Sequence, residues 1–275
     1  MVKDGFTLST VVEEAVLDTH SVEESVGKRG GVEFDDPGMN AFSRNVLQLM
    51  EHIEYRICRS GEDLESIFRL RYDSYLSVGM IKADAKRIVE DEFDYSANVF
   101  NYGVYYDGHL VSTVRLHHVT GEVPVSPSVK VFGDVLEPRI ANGASYVDPS
   151  RFAADKDWSA ELRVLPYITL RLALIACHHF KPTACLTAIK EEHAAFYRRV
   201  FIAEPIVRGR IYPGLTTPVD LWQAPCPMSP DQGARRFAFF RSTALERRLL
   251  FSPPEDDRSA SLTILPSAKY IRHAA

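Results

Sequence analysis

The chain has 275 residues, of which 45% are hydrophobic and 25% are charged, and its formal net charge is -5. These values are ordinary for one large globular domain or for one domain with appendages. The acidic balance argues against a nucleic-acid-binding protein, and no apolar run approaches the roughly 20 residues that span a bilayer. The N-terminus shows no basic-then-apolar signal pattern. The four cysteines have no Cys-x-x-Cys spacing, which predicts reduced thiols in a cytoplasmic protein and no metal site.

The chain divides into three predicted parts. Residues 1–50 have weak periodicity and predict an N-terminal arm that is partly disordered or helical, with one helix near residues 11–17. Residues 51–224 carry nearly all the periodic segments and predict the main domain. Residues 225–275 predict a basic helix at 234–251, followed by a tail.

The first half of the main domain predicts a strand, a helix and a hairpin. Residues 52–58 alternate between polar and apolar side chains, which indicates a strand, and residues 62–78 have apolar side chains at helical spacing. Asp107-Gly108 separates two strand-like runs, 98–106 and 109–118. Because Asp-Gly suits a tight turn, this pattern predicts a β-hairpin.

The second half predicts alternating helices and strands. Residues 120–142 contain three prolines and no clean period, so they predict a long loop or an inserted short helix. A strand is predicted at 145–152 and a long helix at 161–180. Later elements are a strand at 184–189, a helix at 191–200, and strands at 206–212 and 219–223. This order predicts an α/β (α+β) fold with a mixed, mostly antiparallel sheet and helices on both faces.

The same order of elements resembles the GNAT family of N-acetyltransferases. Residues 193–205 are similar to the "A-x-x-F-Y-x-R-x-G-F" segment of that family, and Phe196, Tyr197 and Arg199 fit it. His193 stands where the family has Ala. Residues 210–219 resemble a segment of the N-acyl amino acid synthases.

A second set of motifs resembles the acyl-homoserine-lactone synthases, which share the GNAT fold. Arg71 and Tyr75 match a helical "R-x-x-x-(F/Y)", and Asp91 with Asp94 matches "D-x-x-D". The remaining matches are Val114-Arg115-Leu116 and Asp148-Pro149-Ser150-Arg151-Phe152, where Asp148 replaces the family's Glu. The resemblance covers about residues 52 to 224 and implies an acyltransferase domain at 51–224.

The resemblance implies that these residues form the site for an amine and an acyl thioester. At neutral pH an amine is mostly protonated, so a carboxylate must take its proton directly or through a water. Asp148 and Asp94 are the candidates for that role. Arg151 and Arg115 are expected to hold a substrate carboxylate or to pair with the aspartates. The candidate catalytic residues are Asp148, Asp94 and Arg151, and the candidate substrate-binding residues are Arg71, Asp91, Arg115, Phe152 and Tyr197.

Structural alternatives exist for several of these residues. Taken alone, Asp148 and Arg151 could form an ordinary ion pair at a sheet edge. Residues three apart face opposite sides of a regular strand, so a shared site needs a bulge or a strand end. Capping explains Asp91 equally well. Tyr197 stands where acetyltransferases keep a general acid, but its alternative role is that of a core aromatic.

The acyl donor is predicted from an absence in the sequence. Acetyl-CoA enzymes of this fold hold the pyrophosphate with a Gly-rich loop at a helix N-terminus, and residues 152–160 contain no glycine. An acyl-phosphopantetheine arm on acyl carrier protein has one phosphate and needs fewer backbone N–H donors. Acyl carrier protein is therefore favoured as the donor, without excluding acyl-CoA. The basic side chains expected to meet an acidic carrier protein are Arg198, Arg199, Arg208 and Arg210.

The predicted function is transfer of a fatty acyl chain from acyl carrier protein to the amine of an amino acid, with no tightly bound cofactor. The N-acyl amino acid product is expected to contact membranes peripherally. One alternative is synthesis of an acyl-homoserine lactone from S-adenosylmethionine, although segment 210–219 favours the amino acid synthases. The other alternative is a non-catalytic sensor that binds a lipid or a carrier protein.

Overall fold

A computed structural model of the protein describes residues 39–212, 218–226, 237–252 and 262–271. The helix predicted near residues 11–17, and most of the predicted arm, lie outside the described residues. The elements in chain order are α1 (Ala41–Leu49), β1 (Ile53–Ile57), α2 (Gly61–Ser77), β2 (Val99–Tyr106), β3 (His109–Val119), α3 (Pro127–Ala141), β4 (Tyr146–Ala154), α4 (Lys156–Glu161), α5 (Leu165–Phe180), β5 (Ala184–Ile189), α6 (Ala194–Phe201), β6 (Glu204–Ile211), β7 (Pro218–Pro225), α7 (Ala244–Phe251) and β8 (Thr263–Ile264).

The strands of the described residues form one eight-stranded sheet in the order β6-β7-β5-β4-β3-β2-β1-β8. Within the described ranges, β4 and β5 run parallel, and all the other neighbouring strands run antiparallel. The apolar residues of α1, α5 and α7 join one core cluster on the sheet, whereas those of α3 and α2 join two others. The predicted mixed, mostly antiparallel sheet with helices on both faces is confirmed. No helix in the described part of the chain has the length and apolar character needed to cross a membrane.

The hairpin and the first long helix follow the sequence pattern closely. Asp107 and Gly108 have φ values of 46° and 81°, which suit the two-residue turn that joins twisted antiparallel strands. Helix α2 buries Leu64, Ile67 and Phe68 on one face. Because these side chains recur at helical spacing, the prediction of a helix at 62–78 is confirmed.

Residues 120–142 contain a 15-residue helix, α3, so a long loop is the wrong alternative there. Ser126 caps the helix by accepting a hydrogen bond from the Val129 N–H, and Pro127 occupies the first turn, where no N–H is needed. The helix is interrupted at Phe132, whose φ and ψ are -119° and 29°. This kink breaks the apolar period, which is why the pattern left both a loop and a short helix open.

The long helix predicted at 161–180 is wrong at its start. The chain forms a six-residue helix, α4, and then α5, which begins at Leu165. Pro166 lies in the first turn of α5, because proline cannot donate the hydrogen bond that a continuous helix would require there. Lys181 ends α5 with a φ of 52° immediately before Pro182.

The C-terminal residues pack into the same core as the main domain. The helix predicted at 234–251 is wrong in length, because α7 begins at Ala244. The predicted tail contains a strand, since Ile264 pairs with Tyr55 of β1. Arg171 of α5 donates to the Phe239 carbonyl at 2.7 Å and to Glu246 of α7 at 2.9 Å. The division into three parts stays a prediction, but the described C-terminal residues cover α5 and complete the sheet.

Candidate active site

The parallel strands β4 and β5 separate after two residues of pairing. Their ladder consists of Tyr146 opposite Ala184 and Val147 opposite Cys185. Beyond this ladder, a cavity of about 350 Å³ opens between residues 149–152 of β4 and the end of β5. The other residues that line the cavity are Tyr75, Val78, Met80, Leu170, Thr187, Ala188, Ile189, Lys190, Glu192, His193, Tyr197, Tyr212 and Val219.

A β-bulge lies on the β4 side of this cavity. Thr113 of β3 pairs with Ala153, but Arg115 pairs with Ser150, so β4 holds one extra residue over that interval. Arg151 lies in the bulge with a φ of 54°, an uncommon value for a residue with a side chain. The Arg151 side chain reaches Asp91, and its Nη2 lies 2.6 Å from Asp91 Oδ2.

Three arginines and two aspartates form a continuous chain of ion pairs, which we call the arginine–aspartate chain. Arg71 Nη1 lies 2.7 Å from Asp94 Oδ1, and Arg115 Nη1 lies 3.0 Å from Asp94 Oδ2. The same Arg115 atom lies 2.5 Å from Asp91 Oδ1, and Arg151 completes the chain. Side-chain exposure is 0% at Arg71 and Asp94 but 14% at Arg151, so the chain runs from the interior to the cavity wall.

The charges in this chain leave one excess positive charge beside the cavity. Burial alone would raise the pKa of Asp91, but hydrogen bonds from Arg115 and Arg151 lower it well below its ordinary value. Asp91 is therefore ionised at any physiological pH. The chain holds three guanidinium groups and two carboxyl groups, so its formal charge is +1, and the arrangement attracts an anionic group to the Arg151 end.

The predicted capping role of Asp91 is also present in the structure. Asp91 Oδ1 accepts a hydrogen bond from the Phe93 N–H at 3.0 Å, and Asp94 Oδ2 accepts one from the Asp91 N–H at 3.0 Å. This reciprocal capping box opens a short 3-10 helix, Glu92–Tyr95. The two aspartates therefore fix each other and orient the arginines, so the capping alternative for Asp91 is confirmed, whereas its substrate-binding role stays a prediction.

Asp148 and Arg151 do not form an ion pair. Asp148 is fully buried, and it accepts hydrogen bonds from Ser128 Oγ at 2.8 Å and from the Ser128 N–H at 3.1 Å. Burial raises the pKa of Asp148, while hydrogen bonds from Ser126 and Ser128 oppose that rise. Asp148 therefore ties the start of α3 to β4. Neither Asp148 nor Asp94 is among the described residues that line the cavity.

The predicted substrate-binding residues Phe152 and Tyr197 do line the cavity. The Phe152 carbonyl accepts a hydrogen bond from the Tyr75 hydroxyl at 3.3 Å, which joins α2 to β4. Burial raises the pKa of Tyr197 to about 12, while a hydrogen bond with Thr187 opposes the rise. Tyr197 is therefore a protonated phenol at neutral pH, as a general acid must be.

Three further wall residues were missed by the sequence reasoning. No site role was predicted for Tyr75, Tyr212 or His193, although all three line the cavity. In the sequence, Tyr75 ends a motif, Tyr212 lies within segment 210–219, and His193 replaces the family's Ala. Burial raises the pKa of Tyr212 above its ordinary value, and the charges of Asp148, Arg115 and Arg151 act on it. The presence of His193 in place of Ala was the available sequence signal, because it puts a titratable group in an apolar position.

A smaller apolar pocket of about 30 Å³ adjoins the cavity. It shares Pro149, Leu170, Thr187 and Tyr197 with the cavity and continues towards Phe201 of α6. Its remaining walls are apolar side chains, cysteines and backbone. The pocket therefore extends the site in a direction suited to hydrocarbon rather than to a polar group.

The four arginines proposed for carrier-protein contact have different surroundings. Arg198 and Arg199 are exposed on α6, and Arg208 is exposed on β6. The Arg198 guanidinium lies over the Trp222 ring at 5.3 Å. Arg210 instead donates to both carboxylate oxygens of Asp134 at 2.5 and 2.6 Å, so it fastens β6 to α3.

Comparisons with known proteins identify the family and the fold. The family model "N-acyl amino acid synthase FeeM" matches residues 66–225. The structure of FeeM, from uncultured soil microbes, is 15% identical with a TM-score of 0.53, and the match covers 66% of this chain and 94% of that chain. The CoA-dependent acyl-homoserine lactone synthase MesI is 19% identical with a TM-score of 0.47, covering 66% and 89% of the two chains. No curated protein sequence matches. The fold is that of the GNAT-like acyltransferases.

Proposed function

We propose that this protein transfers a fatty acyl chain from acyl carrier protein to the amine of an amino acid. The premise is that the chain belongs to the FeeM family of N-acyl amino acid synthases and is an N-acyltransferase. The observation that carries the proposal is the position of Arg151. This guanidinium lies on the wall of the β4–β5 cavity and is held by Asp91 at 2.6 Å. A fixed cation at that point can hold the carboxylate of an amino acid while its amine faces the parted strands.

The charge balance of the site supports an anionic amine substrate. The arginine–aspartate chain carries one excess positive charge, and Arg151 Nε is buried with no hydrogen-bond partner in the described part of the chain. Guanidinium groups bind carboxylates with two parallel hydrogen bonds. A substrate carboxylate would compensate both the excess charge and the unpaired donor.

The parted strands supply the place for the thioester. Because the β4–β5 ladder ends at Val147, backbone N–H groups further along that edge of β4 have no strand partner among the described residues. One of them is our proposed oxyanion donor. The cavity and the apolar pocket that adjoins it beside Leu170 are together proposed to receive the acyl chain. Tyr197 lines both spaces, which supports our proposal that its hydroxyl protonates the leaving thiolate.

The helix starts near the cavity support acyl carrier protein as the donor. Asp155 caps α4 and accepts hydrogen bonds from the N–H groups of Asp157 and Trp158, each at 3.0 Å. Pro166 removes an N–H from the first turn of α5. These donors are therefore not offered to a pyrophosphate, whereas the exposed Arg198, Arg199 and Arg208 are our proposed contacts for the single phosphate of a carrier-protein arm. Arg210 would have to leave Asp134 to take part.

The remaining parts of the proposal follow from the chemistry. A thioester is already activated, so acyl transfer to an amine needs no tightly bound cofactor. We place the reaction in the cytoplasm, and we expect the N-acyl amino acid to contact membranes peripherally through its chain. Asp94 and Asp148, first proposed as proton acceptors, would hold Arg71, Arg115 and the start of α3 in place.

The test is a product assay with defined donors. Purified protein is incubated with acyl carrier proteins of several chain lengths, or with the matching acyl-CoA, and with pooled amino acids or S-adenosylmethionine. Mass spectrometry should show an N-acyl amino acid, formed faster from the carrier protein. A lactone product would identify an acyl-homoserine-lactone synthase. Tight binding of carrier protein without any product would favour the sensor.

A further inference from the structure

His193 occupies a distinctive place in the cavity wall. It lies between β5 and α6, and Tyr197 follows it by four residues, so the two side chains lie one helical turn apart. Both line the cavity between β4 and β5. The side chain of His193 is 14% exposed, so it is largely shielded from solvent while still bordering the cavity.

The imidazole of His193 is not satisfied by the protein. Its Nδ1 is buried and has no hydrogen-bond partner among the residues that the structure describes. Its Nε2 lies 3.8 Å from Oε1 of Glu192, too far for a hydrogen bond but close enough for attraction between charges. A buried polar atom without a partner costs free energy, and a ligand that supplies a donor recovers it.

The nearby aspartates are poorly placed to accept a proton from a substrate. Asp94 is fully buried between Arg71 and Arg115, and Asp91 is bound by Arg115 and Arg151. Asp148 is fully buried and engaged by Ser128. A carboxylate held by guanidinium groups is a weak base, because protonation would break those pairs.

The protonation state of His193 suits a base. Burial lowers the pKa of His193 below its ordinary value, Glu192 opposes this effect, and Lys190 adds to it. The imidazole is therefore neutral at pH 7 and able to accept a proton. The titratable and charged groups that share its cavity are Lys190, Glu192, Arg151 of β4, Tyr75 of α2, Tyr197 of α6 and Tyr212 after β6.

We propose that His193 is a catalytic residue that accepts the proton of the attacking amine. The role rests on the proposed acyl transfer. The neutral amine nitrogen forms a bond to the thioester carbonyl carbon, and a nitrogen-bound proton moves to His193. The carbon–sulfur bond then breaks, and the thiolate takes a proton from Tyr197. Tyr197 regains its proton from His193, which leaves an amide, a free thiol and the original protein. Glu192 acts as a positioning residue that stabilises the transient imidazolium.

The proposal is tested with His193→Gln, and His52→Gln is the matched control. The His52 side chain is 41% exposed and contacts Asp107 at the hairpin turn, so His52→Gln should behave as wild type. With the amino acid and donor that the wild type uses, His193→Gln should lower kcat by about 100-fold or more and change KM for the donor little. Wild-type kcat should fall as the pH drops through the lowered His193 pKa. This acid limb should be missing in His193→Gln, and added imidazole should partly restore its rate.

The outcomes separate this role from the acyl transfer itself. An active wild type with an equally active His193→Gln would overturn the role of His193 alone. A near-normal His193→Gln combined with a severe loss of activity in an Asp148→Asn variant that unfolds at the wild-type urea midpoint would instead identify a carboxylate base. A wild type that is inactive with every donor and amine would overturn the proposed function as well. Urea unfolding midpoints close to wild type are expected for both histidine variants, and a large decrease in His193→Gln would favour a structural role.

Discussion

Arg151 donates a hydrogen bond to Asp91 at 2.6 Å although 60 residues separate them in the chain. The contact requires the β4 bulge, in which Arg151 adopts a φ of 54°. Asp91 also binds Arg115, so the orientation of Arg151 depends on a carboxylate that is fixed from two sides. The Arg151 guanidinium at the cavity wall is thus held in one orientation by the fold.

Replacing Arg151 should weaken use of the amino acid substrate. We expect Arg151→Ala to lower kcat/KM for the amine at least about tenfold, because the proposed carboxylate contact is lost. Arg151→Lys should retain part of the activity, since it keeps the charge but not the two-pronged geometry. The control is Arg69→Ala, whose arginine pairs with Glu65 on the exposed face of α2. Equal kinetics in Arg151→Ala and Arg69→Ala would contradict the assignment.

Replacing Arg71 should destabilise the protein. Arg71 is fully buried and bonded to Asp94 and to Asn101, so Arg71→Met leaves Asp94 with less compensation. Breaking a buried ion pair by removing one partner costs about 3–5 kcal/mol. The free energy of unfolding in urea should fall by that amount, whereas Arg69→Met should change it by less than about 1 kcal/mol. Similar stabilities for the two variants would show that the buried pair is unimportant.

Asp148 and Ser128 should be energetically coupled. Because both Asp148 oxygens accept from Ser128, the variants Asp148→Asn and Ser128→Ala each disturb the same contact. A double-mutant cycle should give a coupling of about 1–2 kcal/mol in unfolding free energy. The matched cycle pairs Ser128→Ala with Asp134→Asn, an exposed residue of the same helix, and should be additive. Additive effects in the first cycle would exclude a structural link between α3 and β4.

His117 should make the protein less stable in mild acid. Burial lowers the pKa of His117 to about 4, with the charge of Arg115 adding to the effect. Below pH 6.5 His117 becomes protonated in the unfolded chain but stays neutral in the folded protein. The free energy of unfolding therefore falls as the pH drops from 6.5 towards 4. The loss is about 2 kcal/mol by pH 5 for this one group.

The measurement compares urea unfolding of the wild type and of His117→Gln from pH 7 to pH 4.5. The other histidines contribute to both proteins, so the difference between the two pH profiles isolates His117. The decrease in stability should be smaller in His117→Gln. Parallel profiles would show that the pKa of His117 is not lowered in the folded protein.

Local chemistry made much of the fold predictable. Asp107-Gly108 specifies a hairpin turn wherever it occurs between strand-like runs, and the apolar spacing of 62–78 specifies a helix whatever lies around it. The kink at Phe132 and the break before Leu165 were not predictable in this way. Apolar periodicity along one segment records neither, although Pro166, which cannot donate to a continuous helix, was a local signal for the break.

For the candidate site, too, the sequence predicted one part and the tertiary structure decided the other. By itself, the sequence grouped Arg71, Asp91, Asp94, Arg115, Asp148 and Arg151, through motifs that resemble those of the acyl-homoserine-lactone synthases. All of them except Asp148 meet in the arginine–aspartate chain. Only the tertiary structure decided the partners. Arg151 pairs with Asp91 and not with Asp148, because the bulge redirects its side chain, and His193 borders the cavity because β4 and β5 part after Val147. Such partnerships depend on strand register and on the separation of strands, and these are set by packing between segments far apart in the chain.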